Sequence, residues 1–487
     1  MCPLIQEIVT AHTPVSLVER LRGEPGVVLL RSGLFDSPQA RYSFVAARPF
    51  LTFRSFGSRC EVRSHSTNGD SHIQFGNPWC VLDVLVSRYE LLEGVDLPFP
   101  LGGCFGYWGY DLKNFLEPGL SRRAANDLEL PDCHLGFHDS LVVFDHRLAK
   151  TWIVSTGLDA DGSRSERRAT EGAQFWKAKL GMDAQPPESA TRHTIDPICV
   201  TSSLSRAEFL ARVARAQSYI YSGDIYQVNL SQRLAARHSA SGWELFQRLS
   251  AVSPAPFSAY LDCGGFQIAS SSPELFLRLS GRHIQTRPIK GTRPRSPDAT
   301  RDAQLTYELQ TSPKEMAELV MITDLLRNDL GKVCEFGSVQ VPELVRLERY
   351  PQVQHLVSTV EGHLRPALTH LAALASCFPG GSITGAPKFR AMQIIDELEP
   401  VARGPYTGAL GCLGFNRESQ LSIIIRTALC CGRTAYFHVG AGIVADSIPT
   451  AEYEETFAKA GGFFEALQWE PGADIRVEAG LESMPLN

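Results

Sequence analysis

The order of strand-like and helix-like patterns along the chain is the feature that most constrains its fold. Short β-rich runs separated by turn-forming clusters occur within residues 1–156, at 27–30, 42–47, 141–144 and 152–155. From residue 205 on, longer helical patterns are mixed with extended runs, at 207–222, 243–250, 257–261 and 274–279. Because the strands and helices do not alternate as strict βα units, the pattern predicts an α+β fold rather than a doubly wound parallel sheet.

Changes in composition predict four segments. Residues 157–198 are rich in Asp, Ser, Arg, Pro and Gly, which predicts an exposed connection with one short helix at 169–180. This connection separates the β-rich region at 1–156 from a region at 199–470 that contains the candidate catalytic motifs. Residues 471–487 are predicted to form a C-terminal tail.

The bulk properties are those of a soluble globular protein. The 487 residues are 44% apolar and 21% charged, and the formal net charge of −6 argues against a nucleic-acid partner. Residues 1–7 resemble no secretory signal, and the apolar run at 421–431 is too short to span a membrane and is interrupted by Arg426. We predict that Arg426 lies in an otherwise apolar strand, where it needs an anion if it is buried. We therefore predict a cytoplasmic protein without a membrane partner, and the twelve cysteines, which form no CxxC pair, favour reduced thiols.

Glutamates occur at the starts of two predicted helices. A Ser-Pro-Lys-Glu capping box at 312–315 starts a helix that we expect to end at 327–331, and its last glutamate shares one face with Glu318. Alone, such a pair is more typical of a solvated helix face. A second helix that begins with proline, however, places Glu452 and Glu455 on one side. Carboxylates from two helices would suit Mg2+, which prefers oxygen ligands and retains water.

A basic loop at 287–295 interleaves four cations with two prolines. Such a loop is more often a solvated turn. Lys290 differs from its neighbours because Gly291, beside it, would allow a substrate to approach closely. Since a partly desolvated lysine near other cations can lose its proton, Lys290 is a candidate nucleophile.

A glycine-rich turn at 378–388 leads into a predicted helix at 388–398. Exposed amides at such a helix start would bind an anion, more plausibly a carboxylate than a phosphate, because the P-loop spacing is absent. Gly440 and Gly442 follow a predicted strand at 434–439 and offer a second close approach of the backbone.

Residues 102–106 match the Gly-x-Cys-x-Gly nucleophile elbow of class I glutaminases. A functional elbow would give the chain its own source of ammonia. We favour a structural role, because the chain lacks both the roughly 200 residues of a separate amidotransferase domain and a His-x-Glu partner motif.

Several motifs in a fixed order resemble the chorismate-utilising enzymes, which include anthranilate, aminodeoxychorismate, isochorismate and salicylate synthases. The resemblance begins at 29–32 and 41–43, continues through 106–111, and is densest at 223–459. It implies two facing β-sheets with peripheral helices, N- and C-terminal halves that interlock, and a chorismate site in the C-terminal half.

The resemblance also implies roles for individual residues. Glu318 and Glu455 would bind Mg2+, with Glu315 and Glu452 as outer carboxylates. Glu274 would protonate the leaving C4 hydroxyl, and His355 would lie near that hydroxyl. Contacts with the substrate are implied for Arg426, Tyr406, Gly440, Gly442, Lys459, Thr384 and Gly385.

Two positions choose among the activities of the family. Gln227 stands where water-using members have a lysine base, so ammonia is the expected nucleophile. Lys290 lies in Pro-Ile-Lys-Gly-Thr, which is typical of aminodeoxychorismate synthases, whereas anthranilate synthases have Ala at this position. The resemblance therefore implies amination of chorismate at C4, with ammonia from a separate glutamine amidotransferase subunit. Anthranilate synthesis is the first alternative, and a non-catalytic chorismate- or tryptophan-binding regulator is the second.

One residue departs from the family pattern. The family motif Leu-Leu-Glu-Ser is associated with tryptophan binding, but this chain reads Leu-Leu-Arg-Ser, with Arg31 in place of the glutamate. We predict that tryptophan does not regulate the protein.

Overall fold

The computed structural model describes residues 2–33, 41–65, 69–92, 97–181, 199–350, 352–469 and 476–477. Its strands form two large, almost entirely antiparallel sheets, and helices lie around them. The predicted tail at 471–487 is outside the described residues, except for a short strand at 476–477.

The elements follow one another along the chain with these bounds. The part before residue 182 contains β1 (Leu4–Ile8), α1 (Pro14–Arg20), β2 (Val28–Arg31), β3 (Tyr42–Ala46), β4 (Leu51–Phe56), β5 (Arg59–Ser64), β6 (Ser71–Phe75), α2 (Pro78–Ser87), β7 (Gly103–Trp108), a 3-10 helix (Tyr110–Phe115), β8 (Cys133–His138), β9 (Ser140–Asp145), β10 (Lys150–Ser155) and α3 (Glu166–Leu180). The part from residue 199 contains β11 (Val200–Ser202), α4 (Arg206–Tyr221), β12 (Gln227–Arg237), α5 (Gly242–Val252), β13 (Phe257–Asp262), β14 (Gln267–Ser272), β15 (Leu275–Ser280), β16 (His283–Arg287), β17 (Ile289–Pro294), α6 (Ala299–Gln310), α7 (Pro313–Gly331), β18 (Gln340–Arg349), β19 (Val353–His363), α8 (His370–Cys377), a 3-10 turn (Gly381–Ile383), β20 (Gly385–Ala386), α9 (Lys388–Leu398), β21 (Ala409–Gly414), β22 (Glu418–Ile423), β23 (Thr427–Cys431), β24 (Thr434–Ile443), α10 (Pro449–Leu467) and β25 (Arg476–Val477).

Each sheet combines strands from both halves of the chain. The first sheet has the order β1-β10-β9-β3-β2-β13-β14-β23-β24-β12-β11-β25, with β20 beside β12. The second has the order β17-β19-β16-β15-β22-β21-β7-β8-β4-β5-β6, with β18 beside β19. The halves join where β2 pairs with β13 and where β7 pairs with β21. This sharing of strands confirms the α+β fold with two facing sheets and interlocked halves.

Apolar side chains fill the layer between the sheets and the layers under the helices. Val143 and Leu261 of the first sheet pack with Phe105 and Cys412 of the second, and none is more than 2% exposed. On the other faces, α1, α3, α5 and α10 cover the first sheet, while α2, α7 and α8 cover the second. Both sheets are therefore buried on two sides over much of their area, which provides the main stabilisation of the fold.

The Gly-x-Cys-x-Gly sequence at 102–106 leads into and forms part of strand β7 instead of a nucleophile elbow. Cys104 is fully buried, and burial raises the pKa of its thiol well above its usual value. A Cβ atom on Gly106 would lie 2.0 Å from the carbonyl oxygen of His134 in β8, so strand packing explains this glycine. The structural interpretation of this motif is confirmed.

Helix α3 corrects the prediction for residues 157–198. It begins at Glu166 rather than at 169, and Trp176 Nε1 donates a hydrogen bond of 3.1 Å to Ser140 Oγ of β9. Its buried face consists of Ala169, Ala173, Trp176 and Leu180. The prediction of an exposed connection is wrong for this helix, because these residues recur at helical spacing and pack on the sheet. Residues 182–198 lie outside the described residues, and the division into four segments stays a prediction.

Helix α7 starts and ends where the sequence predicts. Ser312 caps it by accepting a hydrogen bond from the backbone N–H of Glu315 at 3.3 Å. The helix ends at Gly331, within the segment 327–331 in which its end is predicted. The buried Asp329 in this segment pairs with Lys332 and Lys388, so ion pairs stabilise the last turn.

Two other features bear on the predicted class of protein. The twelve cysteines carry free thiols, as expected. Among the described residues, none of the helices has an apolar stretch long enough to cross a lipid bilayer.

Candidate active site

Two neighbouring crossings between the sheets position the centre of the candidate site. Strand β14 of the first sheet continues through Glu274 into β15 of the second, and β22 of the second returns through Arg426 to β23 of the first. The crossings are joined because Ser272 Oγ donates a hydrogen bond to the carbonyl of Ile423 at 2.7 Å, and Ser271 N–H donates to that of Arg426 at 3.0 Å. The prediction that Arg426 lies within a strand is therefore wrong: it lies in the crossing, with φ of 53°.

Glu274 and Lys290 meet at Ser382. Lys290 Nζ donates a hydrogen bond of 3.3 Å to the carbonyl oxygen of Ser382, and the Ser382 side chain lies close enough to Glu274 to act on the pKa of its carboxyl group. Burial raises the pKa of Glu274 to about 7, although Ser382, Lys290 and the backbone of Ile289 act in the opposite direction. A carboxyl group with such a pKa is partly protonated at neutral pH, as a general acid requires.

Lys290 lies on β17 directly before a β-bulge at Gly291, which has φ of 69°. A Cβ atom there would lie 2.7 Å from Leu309 of α6 and 3.0 Å from Glu315 Oε2 of α7. The bulge and the close packing of these two helices therefore explain why position 291 is a glycine. The sequence alone suggested instead that this glycine leaves room for a substrate.

His355 lies opposite Thr292, one strand away from Lys290. Its Nδ1 shares a hydrogen bond of 2.8 Å with Thr292 Oγ1. Burial lowers the pKa of His355 to about 4, and the positive charge of Arg426 acts in the same direction, while the backbone of Gly291 opposes it. The ring is consequently neutral at pH 7 and suited to hydrogen bonding with a hydroxyl group rather than to pairing with a carboxylate.

Arg426, Lys459 and Tyr406 form a largely buried group beside the crossing. Arg426 Nη1 donates a hydrogen bond to the carbonyl oxygen of Lys459, and burial lowers the pKa of both side chains. Tyr406 stacks on His438 with ring centroids 4.9 Å apart, and burial raises its pKa to about 12. Two cations and a phenol hydroxyl in a buried setting form a suitable site for a carboxylate.

The first two turns of α7 and α10 carry the four predicted carboxylates. Lys314 Nζ lies 3.7 Å from Glu452 Oε1 and joins the two helices. Burial raises the pKa of Glu318, and the charges of Glu315 and Glu455 add to this effect, against those of Lys290 and Lys314. The remaining pairs are Arg293 with Glu315 at 3.3 Å, Ser447 with Glu452 at 2.6 Å and Lys459 with Glu455 at 2.6 Å.

The four carboxylates supply the kind of ligand that a Mg2+ site needs. Glu318 and Glu455 are close enough for the charge of one to raise the pKa of the other, which a cation between them would relieve. Oxygen donors of this kind are those that Mg2+ prefers, and Mg2+ keeps several waters. Among the described residues, however, no group of three or more His, Cys, Asp or Glu side chains is arranged to hold a metal ion. The Mg2+ site remains a prediction.

Gln227 and Asn229 project from β12 over two glycines of the neighbouring strand. Strand β24 runs to Ile443, past the predicted end at 439, so Gly440 and Gly442 lie within it, opposite Ser231 and Asn229. A Cβ atom on Gly440 would lie 2.7 Å from Asn229 Oδ1 and 3.0 Å from the Tyr406 hydroxyl, and one on Gly442 would lie 2.5 Å from Gln227 Nε2. Both positions must therefore be glycine, because side chains of the protein itself occupy the space that a Cβ atom would need.

Thr384 and Gly385 lie beneath this wall of the site. The Thr384 hydroxyl donates to the carbonyl oxygen of Gly380 at 3.1 Å, and the Thr384 carbonyl accepts from the Asn229 N–H at 2.8 Å. Gly385 pairs with Val228 and is held too close to the Gln227 carbonyl to carry a side chain. Thr384 is fully buried. The roles of Thr384 and Gly385 in substrate contact stay predictions.

Arg31 lies outside this site. It lines a separate small pocket between the sheets, together with Ser32, Tyr42 and Phe257. Burial lowers the pKa of its guanidinium group. The prediction that tryptophan does not regulate the protein stays a prediction.

A protein-family model described as chorismate binding enzyme matches residues 32–465. The chain belongs to the chorismate-binding enzyme family. Anthranilate synthase component 1 of Acetivibrio thermocellus is 38% identical over 472 residues, which cover 96% of this chain and 94% of the relative. Aminodeoxychorismate synthase component 1 of Escherichia coli K12 is 39% identical over 454 residues, with coverage of 92% and 95%. The crystal structure of anthranilate synthase component I from Streptococcus pneumoniae matches with a TM-score of 0.76 at 32% identity, covering 88% of this chain and 93% of that one.

Relatives of this chorismate-binding enzyme carry two different activity names, so the choice between them depends on residues of the site. Sequence reasoning missed two of these residues, Ser382 and Asn229. Ser382 lay in the glycine-rich turn, but nothing in the sequence indicates that it contacts both Lys290 and Glu274. Asn229 is two residues from Gln227, and strand periodicity could have placed both on one face of the sheet.

Proposed function

We propose that this chorismate-binding enzyme aminates chorismate at C4 and forms 4-amino-4-deoxychorismate. The observation that carries the proposal is that Lys290 and the buried carboxyl group of Glu274 meet at Ser382. An enzyme in which ammonia itself attacks C2 has no need of a lysine at this position. The lysine therefore favours amination at C4 over anthranilate formation.

In the first half of the proposed reaction, Lys290 replaces the C4 hydroxyl group. Its unprotonated Nζ forms a bond to C2, the ring double bonds shift, and the C4–O bond breaks. Glu274 gives its proton to the departing oxygen, which leaves as water. His355, neutral and hydrogen-bonded to Thr292, would orient that hydroxyl group.

In the second half, ammonia restores the original pattern of the ring. It forms a bond to C4, the double bonds shift back, and the C2–N bond to Lys290 breaks. A proton lost from the new ammonium group returns to Glu274, so the acid is regenerated. The sum is chorismate plus ammonia giving 4-amino-4-deoxychorismate plus water, and the enolpyruvyl group is retained.

The proposal includes Mg2+ at the two helix starts. Glu318 and Glu455 would hold the ion, with Glu315 and Glu452 behind them. When bound, it would neutralise the ring carboxylate of chorismate and fix its position. Arg426, Lys459 and Tyr406 would bind the second carboxylate, and their burial strengthens that interaction.

The ammonia is proposed to come from a separate glutamine amidotransferase subunit. The similar proteins named above are each called component 1 or component I, which supports a second component. Within this chain, Cys104 is buried in a strand and provides no glutaminase nucleophile. The free thiols of the cysteines support a cytoplasmic location.

The deciding experiment compares the purified wild-type chain with Lys290→Ala, using chorismate, Mg2+ and an ammonium salt, with products identified by mass spectrometry. Wild type should give 4-amino-4-deoxychorismate, and Lys290→Ala should lose this product or shift towards anthranilate. Lys177→Ala, at an exposed lysine of α3, is the matched control and should behave as wild type. Without ammonia, the wild-type peptide that contains Lys290 should carry chorismate less one water.

Two outcomes would favour the alternatives. Release of pyruvate and anthranilate by wild type would assign the chain to anthranilate synthesis, the activity named for the Acetivibrio relative. Absence of any Mg2+-dependent turnover would favour a non-catalytic regulator, although such a protein has no use for a leaving-group acid such as Glu274.

A further inference from the structure

Lys388 and Asp329 form a buried ion pair that the proposed reaction does not use. Lys388 Nζ lies 2.5 Å from Asp329 Oδ2 and also donates a hydrogen bond of 3.2 Å to the carbonyl oxygen of Cys377. The Asp329 side chain is fully buried, and that of Lys388 is 13% exposed. The pair therefore joins the last turn of α7 to the end of α8 and the start of α9.

Neither charge lies where it would stabilise its own helix. Lys388 is the first residue of α9, and Asp329 is in the last turn of α7. A helix favours anions at its N-terminus and cations at its C-terminus, so both positions are unfavourable. A buried ion pair also contributes little net stability compared with apolar residues of the same volume. The pair is therefore better explained by the geometry that it imposes than by the stability of the two helices.

This geometry concerns the glycine-rich turn at 378–387, which lies between α8 and α9. A single side chain, that of Lys388, binds both the residue before this turn and helix α7. Within the turn, a Cβ atom on Gly381 would lie 2.6 Å from Leu325 Cδ2, so the backbone packs directly on α7. The ion pair thus closes the turn at its base and fixes it against this helix.

The carbonyl group that contacts Lys290 belongs to the same turn. Ser382 follows Gly381 directly, and its carbonyl oxygen accepts the hydrogen bond of 3.3 Å from Lys290 Nζ. The buried Arg403 donates a hydrogen bond of 3.0 Å to the next carbonyl oxygen, that of Ile383. A displacement of the turn on α7 would consequently move the group that holds the amine of Lys290.

We infer that the ion pair of Lys388 and Asp329 positions the glycine-rich turn so that the Ser382 carbonyl oxygen directs Lys290 Nζ at the substrate. The two charged residues act through Ser382 and are positioning residues. The inference rests on the proposed amination of chorismate, in which Lys290 is the nucleophile. Because a misplacement of about 1 Å can slow a reaction about a hundredfold, the pair should control the rate of the first half of the reaction.

The test replaces both charges at once, because removal of one would leave the other buried without its partner. Lys388→Met combined with Asp329→Leu exchanges the ion pair for apolar side chains. Without ammonia, this paired variant of the full chain should form the Lys290 adduct, chorismate less one water, about a hundredfold more slowly than wild type. With ammonium present, KM for chorismate should stay within about twofold, and the Tm should remain close to that of wild type.

Lys332→Met is the matched control. Lys332 Nζ binds the other carboxylate oxygen of Asp329 at 3.1 Å, and its side chain is half-exposed. This variant removes a cation from the same carboxylate but keeps the contact with Lys388, so it should form the adduct at the wild-type rate. Asp329→Asn keeps the shape of the side chain and an acceptor for Lys388, and it should slow adduct formation about fivefold.

The inference is wrong if the paired variant forms the adduct at the wild-type rate, because the ion pair is then only structural. It is equally wrong if KM for chorismate rises while the adduct rate is unchanged, since the turn would then bind the substrate instead of directing Lys290. If the paired variant does not fold, Asp329→Asn decides, and an adduct rate equal to that of wild type contradicts the inference.

The same assay separates this inference from the proposed function. If wild type forms no adduct at Lys290, the proposed function and the inference fail together. If wild type forms the adduct and the paired variant forms it equally fast, the proposed function stands and only the positioning role is lost.

Discussion

Glu274 keeps its proton to a higher pH than an ordinary glutamate because its carboxyl group is buried. In the unfolded chain this group would have its usual pKa of 4.5, whereas in the folded protein the pKa is about 7. Between these two values the folded state binds more protons than the unfolded state, so the free energy of unfolding falls as pH rises. The contribution of Glu274 is fully present below pH 4.5 and is lost as pH rises through about 7.

Glu274→Gln should remove this pH dependence. We expect the variant to gain stability over wild type as pH rises from 4.5 to about 7. The gain should reach about 3 kcal/mol, since each pKa unit corresponds to about 1.4 kcal/mol. Urea unfolding over this pH range measures the difference, and Glu117→Gln, at an exposed glutamate, should show none.

The same variant should lose at least about a hundredfold in turnover, because it has no proton to give to the leaving hydroxyl group. If Glu274→Gln gains stability and loses activity, the carboxyl group of Glu274 contributes to catalysis at a cost in stability. A stability difference that does not change with pH would contradict the raised pKa.

At the scale of single elements, the sequence predicts best where local signals agree with tertiary packing. Helix α9 lies at 388–398 as predicted, because the proline before it and the apolar spacing within it indicate the same start and length. Helix α7 likewise starts at the predicted proline and ends at Gly331, within the predicted segment, although no local pattern indicates the ion pairs of Asp329 in its last turn.

The candidate site was predictable as a set of motifs but not as a set of contacts. Lys290 and Ser382 are 92 positions apart, and they meet only because β14 and β22 cross between the sheets beside them. Likewise, Arg426 reads as part of an apolar strand, whereas the chain turns there from one sheet to the other. Crossings of this kind depend on which strands pair, and a single sequence does not give the pairing.

The contribution of helix α3 to stability can be tested, because its sequence composition predicted an exposed connection whereas the helix packs on the first sheet. Trp176→Ala should lower the free energy of unfolding by about 3–5 kcal/mol, because it leaves a cavity in the layer between this helix and the first sheet. Lys177→Ala, at the exposed neighbouring position, should change it by less than about 0.5 kcal/mol. Urea unfolding measures the free energy of unfolding of both variants. If both substitutions have equally small effects, α3 is an exposed connection that contributes little to stability.

At the scale of the whole molecule, the active site depends on the interlocking of the two halves. Every predicted site residue lies after residue 199, yet the sheets that carry them are completed by strands from before residue 182. Without those strands, β13 would lose its partner β2 and β21 would lose its partner β7. Both would become sheet edges beside the crossings that position Glu274 and Arg426.

Separate expression of residues 1–181 and 199–487 tests this dependence. Neither fragment alone should show a cooperative unfolding transition, because each exposes an apolar sheet face and an unpaired central strand. Expressed together, the fragments should associate and recover ammonium-dependent turnover of chorismate, with the intact chain carrying the same tags as control. If 199–487 alone unfolds cooperatively and turns over chorismate, the catalytic region is an independent domain and the N-terminal strands only cover it. If only the pair is active, the contribution of the first half to catalysis is structural: its strands complete the two sheets, one of which carries Lys290 on β17 and the other Gln227 on β12.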